Sequence, residues 1–394
     1  MPARSAARHV TDVDVLELAV AASSLGLLDD ELRAALALSA PDGVPPPVAA
    51  AYTRFAMSSL RASQSALDLA IAAQRAALAS SRFAVAAARI ALVYASFGLA
   101  LPLAAAPRFH ADRLPGAPAD ATFVEVEGVH VCYHDAGAGP AVVLIHGFGS
   151  SSECWRHVVP ALAAGHRVIA VDLKGFGWSS RPAGDYSPAA QAELVHRTLD
   201  ALGVDDVAVV GHSWGSSVAL EMAVQRPSRV RRIALYAAHC YDDQVPAIFR
   251  LAEKPLLGEL LFALYYPAAD ESTAIQRRAA FAYFDESLVT PERVAKVEAE
   301  LRRPGTIAAA LASARRHHFH ALHAALRTFD RPVLLLWGEH DQVTPLQFGH
   351  RLAAELANAE LRVYPACGHL PMVEAHEVST RDLVAFLAAE SCGA

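Results

Sequence analysis

Asp206-Val-Ala-Val-Val-Gly-His-Ser-Trp-Gly215 is the stretch from which the fold of this chain can best be inferred. Its apolar, β-branched first half predicts a buried strand, and residues 216–223 after it predict a helix. Glycines at 211 and 215 flank Ser213 on the turn between them, which is the pattern G-x-S-x-G. Such a turn strains the serine backbone, and a Cβ at either glycine would crowd the neighbouring strand and helix. We therefore predict an exposed Ser213 hydroxyl at a helix N-terminus, where backbone N–H groups can bind an oxyanion.

Apolar strands and helices alternate on both sides of this stretch. Ala141–Ile145 and Arg167–Val171 are nearly uninterrupted apolar runs, typical of strands inside a mostly parallel sheet. Further strands are predicted at 123–134 (two short strands with a turn), 231–237, 332–337 and 360–364, and helices at 155–164, 187–202 and 346–357. Strands that alternate with helices of about 10 to 15 residues predict βαβ units and an α/β fold with a doubly wound, mostly parallel sheet.

Two more motifs directly follow predicted strands. The first is His-Gly-Phe-Gly at 146–149, and the second is Asp-x-x-Gly-x-Gly-x-Ser at 172–179. With the motif at 211–215, they make residues 123–394 resemble the α/β-hydrolase fold family. The resemblance implies a sheet with a nucleophile, an acid and a base at the ends of successive strands.

The resemblance assigns roles to particular residues. Ser213 takes the place of the nucleophile, and the backbone N–H groups of Phe148 and Trp214 take the place of the oxyanion hole. For His146 we expect a structural role, orienting the oxyanion loop. Some relatives, such as epoxide hydrolases and haloalkane dehalogenases, have an aspartate at the elbow; the serine in this chain departs from both activities, because it cannot form their alkyl ester to an aspartate.

The acid of the resembling family lies on the loop where Asp341 stands, after the predicted strand 332–337. Asp242 and Asp243, which follow the preceding strand, are alternative acids, and Glu339 fits less well. His369 follows the last predicted strand, where the base of the family belongs.

The chain order Ser213, Asp341, His369 matches the order of the family. The implied mechanism is nucleophilic acyl transfer, in which His369 removes the serine proton and Asp341 stabilises the imidazolium. We expect a serine hydrolase that cleaves a carboxylic ester through an acyl-enzyme. Hydrolysis of a carbon–carbon bond in a vinylogous diketone, of a thioester or of a lactone is the alternative, with peptidase activity as a weaker choice. A non-catalytic binding or scaffold protein is the alternative from a different class.

Residues 241–330 have a helical, aromatic-rich pattern and are predicted to form a lid inserted into the hydrolase domain 121–394. The candidate pocket-facing aromatic residues are Phe249, Phe262, Tyr265, Tyr266, Phe281, Tyr283 and Phe284. Together they favour an apolar acyl or aromatic small-molecule substrate. The histidines at 317, 318, 320 and 323 invite a metal hypothesis, but no carboxylate or cysteine lies near them, and we predict no metal and no cofactor.

Residues 1–120 are predicted to be an Ala-rich helical extension and linker. Charged residues recur every seven positions at 54, 61, 68, 75, 82 and 89, which indicates an amphipathic helix suited to packing against a partner helix. Residues 90–106 carry no charge and are flanked by arginines, near the lower length limit for a membrane span. Self-association or membrane association through residues 48–106 is therefore the hypothesis for this region.

The composition sets further bounds. The net charge of −7 is mild, which argues against a nucleic-acid partner. The five cysteines are scattered and odd in number, as expected of reduced thiols rather than a disulfide framework. The N-terminus has no basic start followed by an apolar run, so we predict no secretory signal and a cytoplasmic location, with the membrane hypothesis above as the exception.

Overall fold

A computed structural model describes residues 108–119, 121–254, 258, 281–317, 319, 322 and 329–389, and in this part eight strands form one sheet. Their order across the sheet is β1-β2-β4-β3-β5-β6-β7-β8. The strands are β1 (Thr122–Val126), β2 (Val129–Ala136), β3 (Ala141–Ile145), β4 (Arg167–Val171), β5 (Val207–His212), β6 (Val230–Tyr236), β7 (Val333–Gly338) and β8 (Ala359–Tyr364). The β1–β2 and β2–β4 pairs are antiparallel and the other five pairs are parallel, which confirms the predicted mostly parallel sheet.

Helices connect the parallel strands. Within the described residues they are α1 (Val159–Ala163), α2 (Pro188–Ala201), α3 (Trp214–Gln225), α4 (Ala247–Ala252), α5 (Pro291–Leu301), α6 (Thr306–Ala314), α7 (Leu346–Glu355), α8 (Pro371–Glu374) and α9 (His376–Ala388). The helix predicted at 155–164 is shorter than expected, because a 3₁₀ turn ends at Trp155 and α1 begins only at Val159. Pro160 explains that start, since proline lacks an N–H and suits the first helical turn.

The core lies on both faces of the sheet because the central strands are buried on both faces. All five residues of β3 and all six of β7 are buried. On one face, Leu144 and Val210 pack in one cluster with Leu162 of α1 and Leu383 of α9. Successive side chains of a strand point to opposite faces, and on the other face α7 packs on Trp337 of β7.

The parallel strands end level with one another, and this alignment gathers their loops. Ile145, the last residue of β3, pairs with Val171 at the end of β4 and with Gly211 near the end of β5. On β6, Tyr236 pairs with His212. The loops that carry the predicted oxyanion, nucleophile and acid residues therefore leave the same edge of the sheet.

Several predictions made from the sequence fall on residues outside the described ranges. They include the helical extension, the hypothesis that residues 48–106 associate with a membrane or with a second copy, and the apolar segment 90–106. No helix within the described ranges is long and apolar enough to cross a bilayer. The limits of the extension and of the lid stay predictions. Residues 246–254 and 258, which include α4, fall into a different compact unit from residues 108–245 and 281–389.

The first turn of α3 lies directly against the end of β3. A Cβ at Gly215 would meet the backbone oxygens of Ile145, at 2.6 Å, and of His146. Both obstacles are main-chain atoms of a buried segment, so neither can rotate away as a side chain could. Close approach of helix and strand therefore requires glycine at position 215.

We predict that Gly215→Ala lowers the free energy of unfolding by about 1–3 kcal/mol, because α3 must move away from β3 to make room for the methyl group. Gly165→Ala is the matched control, since a Cβ there would meet no heavy atom within 4 Å. Urea unfolding followed by circular dichroism measures both. Equal midpoints for the two variants would contradict the proposed packing constraint.

Candidate active site

Ser213 forms a strained turn between β5 and α3. Its backbone has φ 51° and ψ −123°, a conformation that a residue with a Cβ rarely adopts. Three main-chain hydrogen bonds hold it: the Ser213 N–H donates to Tyr236 O at 2.9 Å, and its carbonyl accepts from the N–H groups of Ser216 and His239 at 2.9 and 3.1 Å. A Cβ at Gly211 would lie 2.6 Å from Gly215 O. The strain and both glycine requirements predicted from the sequence are present.

Asp341 and His369 are joined by a hydrogen bond at the ends of β7 and β8. Nδ1 of His369 lies 2.9 Å from Oδ2 of Asp341, and both residues are almost fully buried. Oδ1 of Asp341 accepts the N–H groups of Val343 and Thr344 at 2.8 Å each, and Oδ2 also accepts the Thr344 hydroxyl at 2.8 Å. These bonds orient the carboxylate. An ionised carboxylate can only accept a hydrogen bond, so the Nδ1 of a neutral His369 carries the proton and donates it to Asp341. The Nε2 of His369 then keeps its lone pair, with which it can act as a base.

The other candidate acids have different partners. The carboxylate of Asp242 accepts the Phe319 N–H at 2.9 Å, and Asp243 pairs with Arg351 at 3.1 Å. Glu339 is exposed, with His340 at 3.9 Å. Of the four carboxylates considered from the sequence, Asp341 is the one that is hydrogen-bonded to His369.

His212 links the serine turn to the loop of His369. It precedes Ser213, and its Nε2–H donates to the carbonyl oxygen of His369 at 3.0 Å, with the two rings 4.8 Å apart. Burial lowers the pKa of His212 far below its usual value, and the neighbouring imidazoles of His369 and His146 lower it further. His212 therefore acts as a neutral donor that ties the two loops together.

His146 directly follows β3 and begins the loop that carries Phe148. His146 accepts the Leu173 N–H at its Nε2 (3.0 Å), so its Nδ1–H is free to donate to Gly147 O (2.7 Å). These bonds agree with the predicted role of His146 in orienting the oxyanion loop, and burial lowers its pKa. A Cβ at Gly147 would lie 3.1 Å from the Ser213 Cβ, so the loop runs close past the serine.

Trp214 is the first residue of α3, so its N–H has no acceptor within the helix. Phe148 and Trp214 contact each other edge to face, with ring centroids 6.3 Å apart. The two residues predicted to supply the oxyanion N–H groups are thus neighbours, on the loop after β3 and at the start of α3.

The motif at 172–179 organises the loop after β4. The Asp172 carboxylate accepts the N–H groups of Ser152 and Trp178, each at 2.7 Å. Gly177 has φ 51°, and a Cβ there would collide with the same carboxylate. The Ser179 hydroxyl donates to Asp172 O at 2.5 Å. These residues therefore support the loop beside the site.

Aromatic rings surround Phe148 and Trp214, the predicted oxyanion residues. The His317 ring lies 6.1 Å from Phe148 and 5.9 Å from Trp214, and His239 lies 5.5 Å from His317. Burial lowers the pKa of His239 well below its usual value, so its imidazole is neutral near pH 7. Phe148 and Trp214 are therefore surrounded by rings, and His239, which lies beyond His317, is a neutral imidazole.

The other three histidines of the metal hypothesis, at 318, 320 and 323, lie outside the described residues. Within the described part of the chain, no group of three or more histidine, cysteine or acidic side chains is arranged to hold a metal ion. The four cysteines in that part are buried, and none of them is in a disulfide there.

Two of the predicted pocket aromatics are on the surface instead. Phe281 and Phe284 are 53% and 47% exposed, and the Phe284 ring stacks on His340 at 4.5 Å. It is the backbone of this segment that contacts the His369 loop, where Ala282 O accepts the His369 N–H at 2.8 Å. Phe262, Tyr265 and Tyr266 lie outside the described residues.

Sequence reasoning missed residues that hold the site without reacting: Thr344, His212, His239 and Glu374. The position of His212 beside Ser213 was visible in the sequence, but its partner, a carbonyl 157 residues away, was not.

The fold and this geometry agree with comparisons to known proteins. A model of the alpha/beta hydrolase fold matches residues 140–375. A 2-hydroxymuconate semialdehyde hydrolase of Pseudomonas sp. (strain CF600) is 34% identical over 279 residues, 67% of this chain and 92% of that enzyme. A 2-hydroxy-6-oxo-6-phenylhexa-2,4-dienoate hydrolase of Burkholderia cepacia is 31% identical over 264 residues, 65% and 90% of the two chains.

A solved structure of a meta-cleavage product hydrolase from Pseudomonas fluorescens IP01 is similar to this chain with a TM-score of 0.58 and 26% identity. The match covers 68% of this chain and 98% of that structure. The family model spans more than half of the chain, and the mostly parallel sheet and the turn at Ser213 are those that the sequence predicted. This chain therefore belongs to the α/β-hydrolase fold family and is an enzyme of the hydrolase class.

Proposed function

We propose that this hydrolase cleaves a carbon–carbon bond in a vinylogous diketone of the 2-hydroxy-6-oxo-dienoate type. The observation that carries the proposal is the similarity, at 31–34% identity over about two thirds of the chain, to enzymes named for such dienoates and semialdehydes. This similarity supports carbon–carbon cleavage over the ester hydrolysis that we expected from the sequence. Both reactions need a nucleophile, a base and an oxyanion hole, so the proposed residues are the same.

In the proposed mechanism, Ser213 is the nucleophile, His369 the base and Asp341 the acid that orients the imidazole. The hydrogen bond between His369 Nδ1 and Asp341 supports these roles, because it leaves Nε2 to take the serine proton. The N–H groups of Phe148 and Trp214 would stabilise the oxyanion. The start of α3 at Trp214 supports this role, because the N-terminus of a helix favours negative charge.

The proposed reaction consumes one water molecule. The dienol first tautomerises to the vinylogous diketone: its C2 hydroxyl loses a proton and C5 gains one, so that C5 becomes a CH₂ group and C2 a ketone. The Ser213 oxygen, whose proton passes to His369, then adds to the C6 ketone, and the C5–C6 bond breaks. Its electron pair passes through the C3–C4 double bond to the C2 carbonyl, and the resulting dienolate leaves and takes the proton of the imidazolium on its C2 oxygen. Water hydrolyses the acyl-serine and releases a carboxylic acid. The products are that acid and a 2-hydroxydienoate.

The aromatic surroundings support a flat, conjugated substrate. The rings of Phe148, Trp214 and Phe176 pack edge to face within about 6 Å of one another, beside the proposed oxyanion donors. The His317 ring lies against Phe148 and Trp214, and His239, which contacts His317, is a neutral imidazole rather than a charge. Such surroundings exclude water and strengthen the hydrogen bonds that an oxyanion would receive.

Hydrolysis of a carboxylic ester is the second candidate. It is favoured by the bonded pair of Asp341 and His369, which serves acyl transfer from an ester as well as from a ketone. A series of p-nitrophenyl esters of graded acyl length separates the candidates. An ester hydrolase would turn over one chain length faster than any dienoate, whereas a carbon–carbon hydrolase would show the reverse preference.

We predict that the wild-type enzyme hydrolyses 2-hydroxy-6-oxo-6-phenylhexa-2,4-dienoate and that Ser213→Ala lowers kcat by about 10⁴-fold or more. The rate is measured by the loss of the visible absorbance of the substrate, and chromatography identifies benzoate as a product. Ser228→Ala, at an exposed serine, is the control and keeps the wild-type rate. Undiminished turnover by Ser213→Ala would remove Ser213 from the mechanism.

We predict that Asp341→Asn lowers kcat by about 10³- to 10⁴-fold, because an amide no longer stabilises the imidazolium and can favour the wrong tautomer of His369. Asp243→Asn is the matched control, since its carboxylate pairs with Arg351 on the surface. It also tests the alternative acid. Steady-state kinetics on the same substrate distinguish them, and a larger loss in the Asp243 variant would reverse the assignment.

A further inference from the structure

We infer that Glu374 is a positioning residue of this hydrolase, whose carboxylate ties the segment Phe281–Asp285 to the loop that presents His369. The inference rests on the proposed roles of Ser213, Asp341 and His369. Glu374 is the last residue of α8, the short helix that follows the His369 loop in the sequence. It has no part in the mechanism proposed above, and it would act only through His369.

The Glu374 carboxylate accepts four main-chain N–H groups from two separate segments. Oε1 accepts from Gly368 at 2.9 Å and from Leu370 at 3.4 Å, on either side of His369. Oε2 accepts from Phe284 at 2.7 Å and from Asp285 at 3.3 Å. Hydrogen bonds to a charged acceptor are stronger than neutral ones, so one side chain clamps two loops about 90 residues apart in sequence.

The backbone of His369 is held within this clamp. Its N–H donates to Ala282 O at 2.8 Å, in the segment that Glu374 binds. The N–H groups of its two neighbours, Gly368 and Leu370, donate to Glu374 itself. Its carbonyl accepts from His212, and its ring is bound by Asp341. Main chain and side chain together leave His369 little freedom to change its orientation.

The loop is also packed tightly between two other segments. A Cβ at Gly368 would lie 2.8 Å from both Ala282 O and Phe284 N. On the opposite side, a Cβ at Gly338 would meet Gly368 O and, at 2.5 Å, Cys367 O. A shift of the segment 281–285 would therefore be transmitted to the loop, because there is no free space to absorb it.

The same segment reaches the acid loop. The Phe284 ring stacks on His340, the residue before Asp341, and the His340 N–H donates to Cys367 O at 2.9 Å. Glu374 thus anchors a segment that contacts the loops of both the proposed acid and the proposed base. Loss of the anchor would misalign the base relative to the serine while leaving the substrate surroundings in place.

Glu374→Gln tests this role. The amide has the same shape, but its NH₂ group would face N–H donors, so two of the four hydrogen bonds are lost. We expect kcat on the dienoate to fall about 10- to 100-fold with an unchanged KM, since displacing a reacting group by about 1 Å can have an effect of this size. Glu377→Gln, an exposed glutamate three residues on, is the matched control and keeps wild-type kinetics.

The assays are run at a temperature at which circular dichroism shows every variant fully folded. Should Glu374→Gln fail to fold, Glu374→Asp replaces it; its carboxylate is one methylene too short to reach both segments, and we expect the same fall in kcat. A wild-type kcat in either folded variant would overturn the inference. Ser213→Ala is assayed alongside, and full activity there would instead refute the proposed triad.

Discussion

Position 215 has no room for a side chain, because α3 begins in contact with the backbone at the end of β3. This close approach brings the proposed oxyanion loop at 146–149 beside the serine turn. It also requires the sharp turn at Ser213, which is held at a positive φ by main-chain bonds to β6 and to the residues after it. The rest of the site depends on this constraint, since every other loop is placed relative to that turn.

On the opposite side of the site, the His369 loop is held by hydrogen bonds between residues that are far apart in the sequence. His212 binds the backbone of His369, Asp341 binds its ring, and Glu374 binds the residues around it. Buried imidazoles with lowered pKa values, such as that of His212, serve as neutral donors and bring no positive charge near the proposed oxyanion. Under the proposed roles, packing fixes the nucleophile and hydrogen bonds fix the base.

The fold and the proposed triad could be predicted from the sequence because their signals are local. Glycines around Ser213, apolar strands, and acidic and basic residues at strand ends are each visible within a few positions. Glu374 and Thr344 could not be found in that way, because their partners are main-chain groups that only the fold brings near. For the same reason the exposure of Phe281 and Phe284 was missed: an aromatic residue in a lid has the same sequence signal on either face.

The proposed mechanism requires Ser213 to be a nucleophile that His369 activates. Labelling of the folded protein with a fluorophosphonate, followed by mass spectrometry of its peptides, tests this requirement independently of the substrate, because the reagent reacts with activated serines. We predict one modified peptide, with the label on Ser213. A folded protein that takes no label, or that takes it on another serine, would contradict the proposed mechanism.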